Sequence, residues 1–232
     1  MRKPLFTLTL LTALLTAGPA QAQAQAYQAG DIVLRAGAIG ADPREESGDI
    51  WVGALNSQVA GTRATVTSDT QLGLTATYML SVHLGIELLV ATPFNHDVGV
   101  KGMPGIFAGL NGQLGELRQL PPTLSLVYYP LANASALQPY VGAGLNYTWF
   151  FDTQLSSAAE TKGFEGLDLE DSWGLAAQLG VDYLLSDNLL LNAQVRYIDI
   201  DTSATTSYGG AEVKVDLDVD PYVYMLGLGY RF

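Results

Sequence analysis

The 232-residue chain is 48% hydrophobic but only 15% charged, and it contains 25 glycines, 12 tyrosines and no cysteine. After residue 26 no apolar run approaches the ~18 residues that a membrane-spanning helix needs, which excludes a helical membrane protein. The net charge of −12 excludes a nucleic-acid ligand, because phosphate contacts need a basic surface.

Residues 1–26 have the pattern of an export signal. The start is positive at Arg2 and Lys3, Leu5 to Ala17 is apolar, and small-x-small cleavage sites end at Ala24 or Ala26. The alternative, a first transmembrane helix, needs a longer apolar run. Cleavage leaves residues 27–232 as one domain in the cell envelope. Without Arg2 and Lys3, nine basic residues remain against 23 acidic ones, a net charge of −14.

Eight later segments alternate apolar residues with others at the period of a β-strand. In the last segment the apolar set begins and ends with tyrosine (Tyr222, Tyr224, Leu226, Leu228, Tyr230), over the ~10 residues that a tilted strand needs to cross a bilayer. The pattern predicts strands that turn their apolar face to lipid. They lie near 31–40, 70–79, 82–92, 121–129, 139–151, 171–184, 188–199 and 215–232.

The connections between these segments alternate in length. Those at 41–69, 93–120, 152–170 and 200–214 are long and polar, whereas those at 80–81, 130–138 and 185–187 are short. Outer-membrane barrels combine an even strand number with long extracellular loops and short periplasmic turns. The chain is therefore predicted to be all-β: an eight-stranded antiparallel transmembrane β-barrel with four long extracellular loops and three short periplasmic turns.

Two aromatic belts follow from this topology. Aromatic side chains favour both membrane–water interfaces. The predicted periplasmic belt holds Tyr78, Tyr128, Tyr183, Tyr230 and Phe232, and the outer belt holds Trp149, Trp173, Tyr197 and Tyr222. The alternative, a soluble barrel of lipocalin type, would turn its apolar face inward and leave both belts unexplained.

The inward-facing residues separate into two groups by height. The upper group is almost wholly apolar and forms a candidate substrate pocket: Ile39, Leu89, Ala91, Phe150, Ile198, Val223 and Met225. The lower group is charged or polar and forms a candidate lumen floor: Arg35, His83, Glu87, Asp182, Arg196 and Arg231. Buried charge must be paired, so we expect an apolar pocket, open to the exterior, over a polar plug. The alternative is an inert, packed lumen.

Prolines indicate a lateral opening at the outer rim. Pro93 ends the third strand, and Pro121 and Pro122 begin the fourth. Proline cannot donate the N–H that a sheet ladder needs, so these two neighbouring strands could separate there. The simpler alternative is that the prolines only mark strand ends.

Enzyme and metal functions have little support, and no cofactor is expected. His96 and Asp97 lie in a loop without a nucleophile motif, and two ligands do not make a closed metal site. The acidic segment from Glu212 to Asp220 is interpreted as a solvated loop and strand rim. Its alternative is a divalent-cation site beside lipopolysaccharide.

Several stretches, taken in order along the mature chain, resemble the OmpW/AlkL family of small outer-membrane barrels: 70–75, 85–94, 120–124, 139–147, 171–174, 180–183, 199–202 and the Tyr230-Arg231-Phe232 end. The resemblance implies a monomeric barrel that passively admits small hydrophobic molecules. The ending Met225-x-Gly227-x-x-Tyr230-x-Phe232 is similar to the signal read by the outer-membrane assembly machinery. The segment 102–115 is longer and more apolar than this family leads us to expect.

The expected partners are outer-membrane lipids and lipopolysaccharide, the assembly machinery and small hydrophobic molecules. The long exposed loops support a second hypothesis, a non-enzymatic receptor or adhesion barrel with a closed lumen. Its partners would be phage, bacteriocins or host surfaces.

Overall fold

The computed structural model describes residues 27–44, 46–105, 108, 111–131 and 135–232, so the predicted signal segment lies outside it. Eight strands form the barrel, and we number these β1–β8 in chain order. They are β1 Ile32–Asp42, β2 Asp69–Met79, β3 Leu84–Ala91, β4 Thr123–Tyr128, β5 Leu137–Leu155, β6 Ser172–Leu184, β7 Leu189–Ile198 and β8 Tyr222–Arg231.

Antiparallel pairing joins each barrel strand to its neighbours and closes the sheet. β1 pairs with both β2 and β8, and β4 pairs with both β3 and β5. The remaining neighbours β2–β3, β5–β6, β6–β7 and β7–β8 complete the circle. The predicted eight-stranded antiparallel barrel is therefore confirmed. Among the described residues, no helix is both long and apolar enough to cross a membrane.

Residues alternate between the inside and the outside of the barrel as the sequence predicted. Along β1, Leu34 is exposed and Arg35 is buried, and along β3 Leu88 is exposed and Glu87 is buried. The outer surface is apolar, with Leu226 68% exposed. A soluble barrel hides such residues, so the lipocalin-type alternative is wrong and the exposed apolar band is the lipid-facing surface.

Aromatic residues flank this band at both ends. Tyr78, Tyr128, Tyr183, Tyr230 and Phe232 are exposed on the periplasmic side. Trp149 and Trp173 are exposed on the extracellular side, where the Tyr197 and Tyr222 rings lie 5.8 Å apart across β7 and β8. Rings at these levels keep their apolar body in lipid and their polar atom near water.

The four long connections contain structure that the sequence did not indicate. Nine further strands lie there: Glu46–Ser47, Ile50–Val52, Ser57–Val59, Arg63–Val66, Phe94–Lys101, Gly112–Leu120, Phe164–Leu169, Asp201–Tyr208 and Ala211–Asp218. A helix, Ser157–Lys162, and a 3-10 turn, Gly53–Leu55, complete the described elements.

The extracellular strands form two groups above the barrel. One six-stranded sheet includes Phe164–Leu169, Asp201–Tyr208 and Ala211–Asp218. The other group continues the barrel wall, because the upper end of β5 pairs with Gly112–Leu120, which pairs with Phe94–Lys101. The last barrel strand was predicted to begin near 215. It begins at Tyr222, because 211–218 folds back on 201–208 as a hairpin.

The C-terminal strand closes the barrel against the N-terminal one. Phe232 and Ile32 exchange backbone hydrogen bonds, and Gly227 lies opposite Gly37. The backbones approach so closely there that a Cβ on Gly227 would lie 2.4 Å from the carbonyl oxygen of Ala36. Any larger residue at position 227 would therefore push β1 and β8 apart.

Candidate functional site in the barrel lumen

A buried ion-pair network, which we call the plug, fills the lower lumen around Arg35. The guanidinium donates from Nε and Nη2 to both oxygens of Asp182, at 2.9 and 2.6 Å, and from Nη1 to Glu87 at 3.1 Å. Neither Arg35 nor its two acidic partners exposes any side-chain surface. Two-pronged arginine–carboxylate pairing fixes orientation as well as supplying energy, so the centre of the plug is held rigidly.

Arg196 extends the plug across the full width of the barrel. It lies on β7, and its Nη2 donates to Glu87 on β3 at 2.9 Å. Four strand-to-strand steps separate β7 from β3 in either direction, so this pair joins opposite walls. Both Nε and Nη2 also donate to the side-chain oxygen of Gln178 on β6. A solute moving down the lumen axis meets this bridge.

Neutral polar side chains complete the plug. The phenol of Tyr129 accepts from Arg35 Nη2 at 2.8 Å, and that of Tyr27 donates to Asp182 at 2.7 Å. Asn192 donates to Asp182 and to the phenol oxygen of Tyr140. We did not single out these residues from the sequence. Tyr140 and Asn192 occupy inward positions of their predicted strands, so strand alternation could have identified them as lumen residues. Tyr27 precedes the first strand, so alternation gave no information about its side chain.

Two predicted floor residues lie outside the network of Arg35, Glu87, Asp182 and Arg196. His83 sits in the β2–β3 turn, where its Nδ1 is 2.7 Å from the carbonyl oxygen of Tyr129 and its ring stacks on Tyr128. The turn interrupts strand parity, so the inward assignment was wrong. Arg231 lies near the periplasmic end, 3.8 Å from Asp31 and over the ring of Tyr27.

The predicted apolar residues come together above the plug, and we call them the upper cluster: Ile39, Leu89, Ala91, Phe150, Ile198, Val223 and Met225. Ile39, Leu89 and Ile198 are at most 2% exposed. Such values leave almost no surface that a water molecule could touch, so these side chains fill the upper lumen themselves.

Extracellular side chains continue the upper cluster upward, and we call them the cap: Phe94, Val98, Leu117, Leu167, Leu169, Leu217 and Val219. Phe94 and Leu117 are at most 2% exposed. We expected a pocket open to the exterior, but the cap covers it. The difference arises because the long loops fold into sheets whose inner faces are apolar, and this apolar surface is buried on the barrel mouth.

The three prolines coincide with a break in the β3–β4 ladder, which we call the seam. Leu89 pairs with Thr123 below it, and Phe94 pairs with Gln119 above it. Between these pairs, within the described chain, 90–93 and 120–122 make no backbone pairing across the seam. The outer flanks remain attached, since Thr92 N donates to Leu72 on β2 and Tyr147 N on β5 donates to Pro122.

His96 lies on the cap side of the seam and is almost wholly buried. Its Nδ1 is 2.5 Å from the carbonyl oxygen of Thr67, and its Nε2 is 2.8 Å from the amide nitrogen of Gln119. Burial lowers the pKa of His96, although hydrogen bonding to Thr67 and the charge of Asp69 partly oppose this. The neutral ring therefore joins the two strands above the break.

An acidic group lies at the β7–β8 end of the extracellular surface. The carboxylates of Asp199, Asp201 and Asp220 lie within 4.8 Å of one another. Burial and then the neighbouring carboxylates raise the pKa of Asp201. Asp220 accepts from the Tyr197 hydroxyl at 2.7 Å and from the backbone of Ile200. Through these contacts Asp220 has a structural role: it ties the start of the β7–β8 connection to its end.

An apolar outer band between aromatic belts, a closed eight-stranded wall and ordered extracellular sheets together define an outer-membrane β-barrel. The family model described as the OmpW family matches residues 28–232, and the chain belongs to that family. Outer membrane protein W of Vibrio cholerae is 42% identical over 207 residues, which cover 89% of this chain and 91% of the relative. Outer membrane protein AlkL of Ectopseudomonas oleovorans is 30% identical, covering 81% of this chain and 76% of the relative.

Solved structures agree with this assignment. The crystal structure of the outer membrane protein OprG from Pseudomonas aeruginosa superposes with a TM-score of 0.84 at 49% identity, covering 90% of this chain and 98% of that one. The solid-state NMR structure of AlkL in DMPC lipid bilayers superposes with a TM-score of 0.66 at 27% identity, covering 93% and 95%. The protein is therefore located in the outer membrane.

Proposed function

We propose that the protein is a non-enzymatic passive channel that admits small hydrophobic molecules from outside the cell into the outer leaflet. The observation that carries the proposal is the contrast within the lumen, an apolar upper cluster directly above a charged plug. A relative that is 28% identical over 180 residues is named dibenzothiophene metabolism operon protein PahQ, and dibenzothiophene is an apolar aromatic compound. No cofactor is part of the proposal.

The plug favours a sideways exit over passage to the periplasm. A hydrophobic cargo would have to displace the Arg196–Glu87 pair that joins opposite walls. Removing one partner from such a buried pair costs about 3–5 kcal/mol. The lipid outside is as apolar as the cargo. The seam at Pro93, Pro121 and Pro122 lacks the ladder bonds that separation would otherwise break.

The expected affinity suits a conduit. A cargo that buries on the order of 200 Å² of apolar surface gains about 5 kcal/mol at ~25 cal/mol per Å². Association costs at least about 4 kcal/mol in lost freedom. The small difference predicts weak binding and rapid release. The cap must open first, and its interactions with the upper cluster are apolar and non-directional.

Two variants test this route. Leu89→Arg places a charge in the upper cluster and should slow the uptake of alkane or naphthalene without preventing barrel assembly. Asn95→Cys with Arg118→Cys, at paired positions just above the seam, should form a disulfide that holds the seam shut. The matched control is Thr205→Cys with Lys214→Cys in the six-stranded extracellular sheet. If uptake is unchanged in Leu89→Arg and also in the Asn95→Cys/Arg118→Cys disulfide variant, the lateral route is contradicted.

The C-terminal residues Gly227, Tyr230 and Phe232 are proposed to be read by the assembly machinery. Deleting Phe232 should sharply reduce the heat-modifiable, membrane-inserted fraction. Normal insertion without Phe232 would reject this role. We propose that the protein is a monomer and that lipopolysaccharide and outer-membrane lipids surround it.

A receptor or adhesion role is the second candidate, favoured by the nine ordered extracellular strands. Rigid sheets present a defined surface to phage, bacteriocins or host cells more readily than mobile loops do. Exchange of the four extracellular connections for foreign ones separates the hypotheses. If loop exchange abolishes every phenotype while lumen variants abolish none, the channel proposal fails.

A further inference from the structure

Arg196 has one guanidinium nitrogen without a partner. Its Nε and Nη2 donate to Gln178 and Glu87, whereas Nη1 is buried and has no hydrogen-bond partner among the described residues. All three side-chain nitrogens of Arg35, in the same plug, are hydrogen-bonded. A buried donor left unpaired is costly, and such groups in native structures call for an explanation.

The position of Arg196 limits what could reach this nitrogen. The next inward residue above Arg196 on β7 is Ile198, and the residue that pairs with Arg196 on β8 is Val223. Both belong to the upper cluster. Nε and Nη2 share one edge of the planar guanidinium and both donate to Gln178, while Nη2 also donates to Glu87. A ligand that occupies the upper cluster would therefore lie next to Arg196.

The upper cluster contains an adaptable side chain, Met225, one inward position from Arg196 along the β7–β8 pairing. Met225 is unbranched, and its sulfur accepts a hydrogen bond from Gln194 at 3.1 Å. Gln194 and Arg196 are consecutive inward residues of β7, and Gln194 is the pairing partner of Met225. Methionine can change its conformation at low cost. An alkyl chain can thus replace Met225 while its end group reaches Arg196.

Charge balance decides which end group fits. Arg35, Arg196, Glu87 and Asp182 sum to zero charge, and their side chains are at most 2% exposed. A carboxylate would add an uncompensated negative charge to this interior, where unpaired charge is strongly disfavoured. A carbonyl oxygen offers lone pairs without charge. We infer that Arg196 Nη1 donates a hydrogen bond to a neutral carbonyl at one end of the cargo, whose alkyl part lies in the upper cluster.

This inference rests on the proposed channel function, and it names a substrate class: alkyl chains that carry one carbonyl. Uptake of three matched probes by intact cells that produce the full chain tests it, with undecane, 2-undecanone and undecanoate measured against cells that lack the protein. Arg196→Lys preserves a cation for Glu87 but removes the second donor edge. Arg118→Lys makes the same change at an exposed extracellular arginine and serves as the control.

The expected result is a change in selectivity. The ratio of 2-undecanone to undecane uptake should fall about tenfold in Arg196→Lys, the loss expected for one hydrogen bond to a charged donor. It should not change in Arg118→Lys. In the unsubstituted protein, undecanoate should enter no faster than undecane. An unchanged ratio in Arg196→Lys, or a preference for undecanoate, overturns the inference while leaving the channel function in place.

A second measurement separates the inference from the channel proposal. In ¹⁵N-arginine-labelled protein in lipid nanodiscs, 2-undecanone should shift the guanidinium resonances of Arg196, and undecane should not. If no probe enters through the unsubstituted protein, the channel proposal fails, and this shift alone decides whether Arg196 binds the carbonyl. Resonances that respond equally to both probes, or to neither, reject it.

Discussion

The lower and upper halves of the lumen are built by opposite means. In the lower half, Arg35 and Arg196 meet Glu87 and Asp182 in buried, directional contacts of 2.6–3.1 Å. In the upper half, Leu89, Ile198 and Val223 are buried to a similar degree but belong to a continuous apolar cluster. Both halves are filled, yet only the lower one depends on each partner being present.

Under the proposed channel function, this difference lets one narrow barrel both block and admit solutes. A directional network loses much of its energy when one group moves, because the partner left behind is a buried, unpaired charge. Apolar packing exchanges one hydrocarbon neighbour for another at little cost, since the interaction is non-directional. On this proposal, cargo replaces side chains in the upper cluster, whereas the plug resists replacement.

The largest effect should follow from breaking the centre of the plug. Arg35→Met leaves Asp182 and Glu87 without their shared partner, so the free energy of unfolding should fall by about 3–5 kcal/mol. Urea titration in lipid vesicles, followed by the loss of heat-modifiable mobility, measures this change. The control Arg118→Met removes an exposed ion pair and should cost at most ~1 kcal/mol. Equal effects at the two positions would contradict a plug built on buried pairs.

A cavity in the upper cluster should lower stability less while raising uptake. Ile198 is fully buried, so Ile198→Ala should reduce the free energy of unfolding by about 2–4 kcal/mol. The same cavity gives cargo room without displacing a side chain, so uptake of naphthalene should become faster. Urea titration and uptake are measured on the same vesicles. Unchanged uptake despite a correctly assembled barrel would show that the upper cluster is not on the route.

The smallest effect should be a pH dependence of the cap at His96. The folded-state pKa lies below the ordinary value of 6.5, mainly because burial disfavours the charged ring. The unfolded segment therefore binds the proton more readily, and the stabilisation from neutral His96 is complete above pH 6.5 and decreases as the pH falls below it. The charges of Asp69 and Asp97 act on the ring, and Glu116, Arg118 and Asp152 line the same cleft.

Amide hydrogen exchange can measure this effect. After correction for intrinsic rates, amides in Phe94–Lys101 should exchange faster at about pH 5.5 than at about pH 7.5. His96→Gln should remove most of the difference, because glutamine does not titrate in this range. Amides of β7 serve as the internal reference. A pH effect that persists in His96→Gln would assign it to the acidic residues instead.

The barrel itself was predictable because strand parity is a local property. Alternation identified all eight strands and the side on which Arg35, Glu87 and Leu89 project, and alternating connection lengths oriented the chain. Parity failed at His83, which lies in a turn. It also missed the hairpin of Asp201–Tyr208 and Ala211–Asp218. The first strand consists mainly of small polar residues without an apolar period, and the second alternates cleanly, but its end was assigned to the last barrel strand.

The residue types at the inward-facing positions, together with the height of each position along its strand, predicted a lumen that is polar below and apolar above. Only the tertiary structure decided which groups meet, because partners across the barrel depend on the stagger of all eight strands. Arg196 and Glu87 come from strands four places apart, and Tyr27 reaches Asp182 from the segment that precedes β1. The cap likewise required the loops to fold before Phe94 and Leu117 could cover the lumen. Local periodicity encodes the wall, whereas the contents of the lumen arise from contacts between residues distant in the chain.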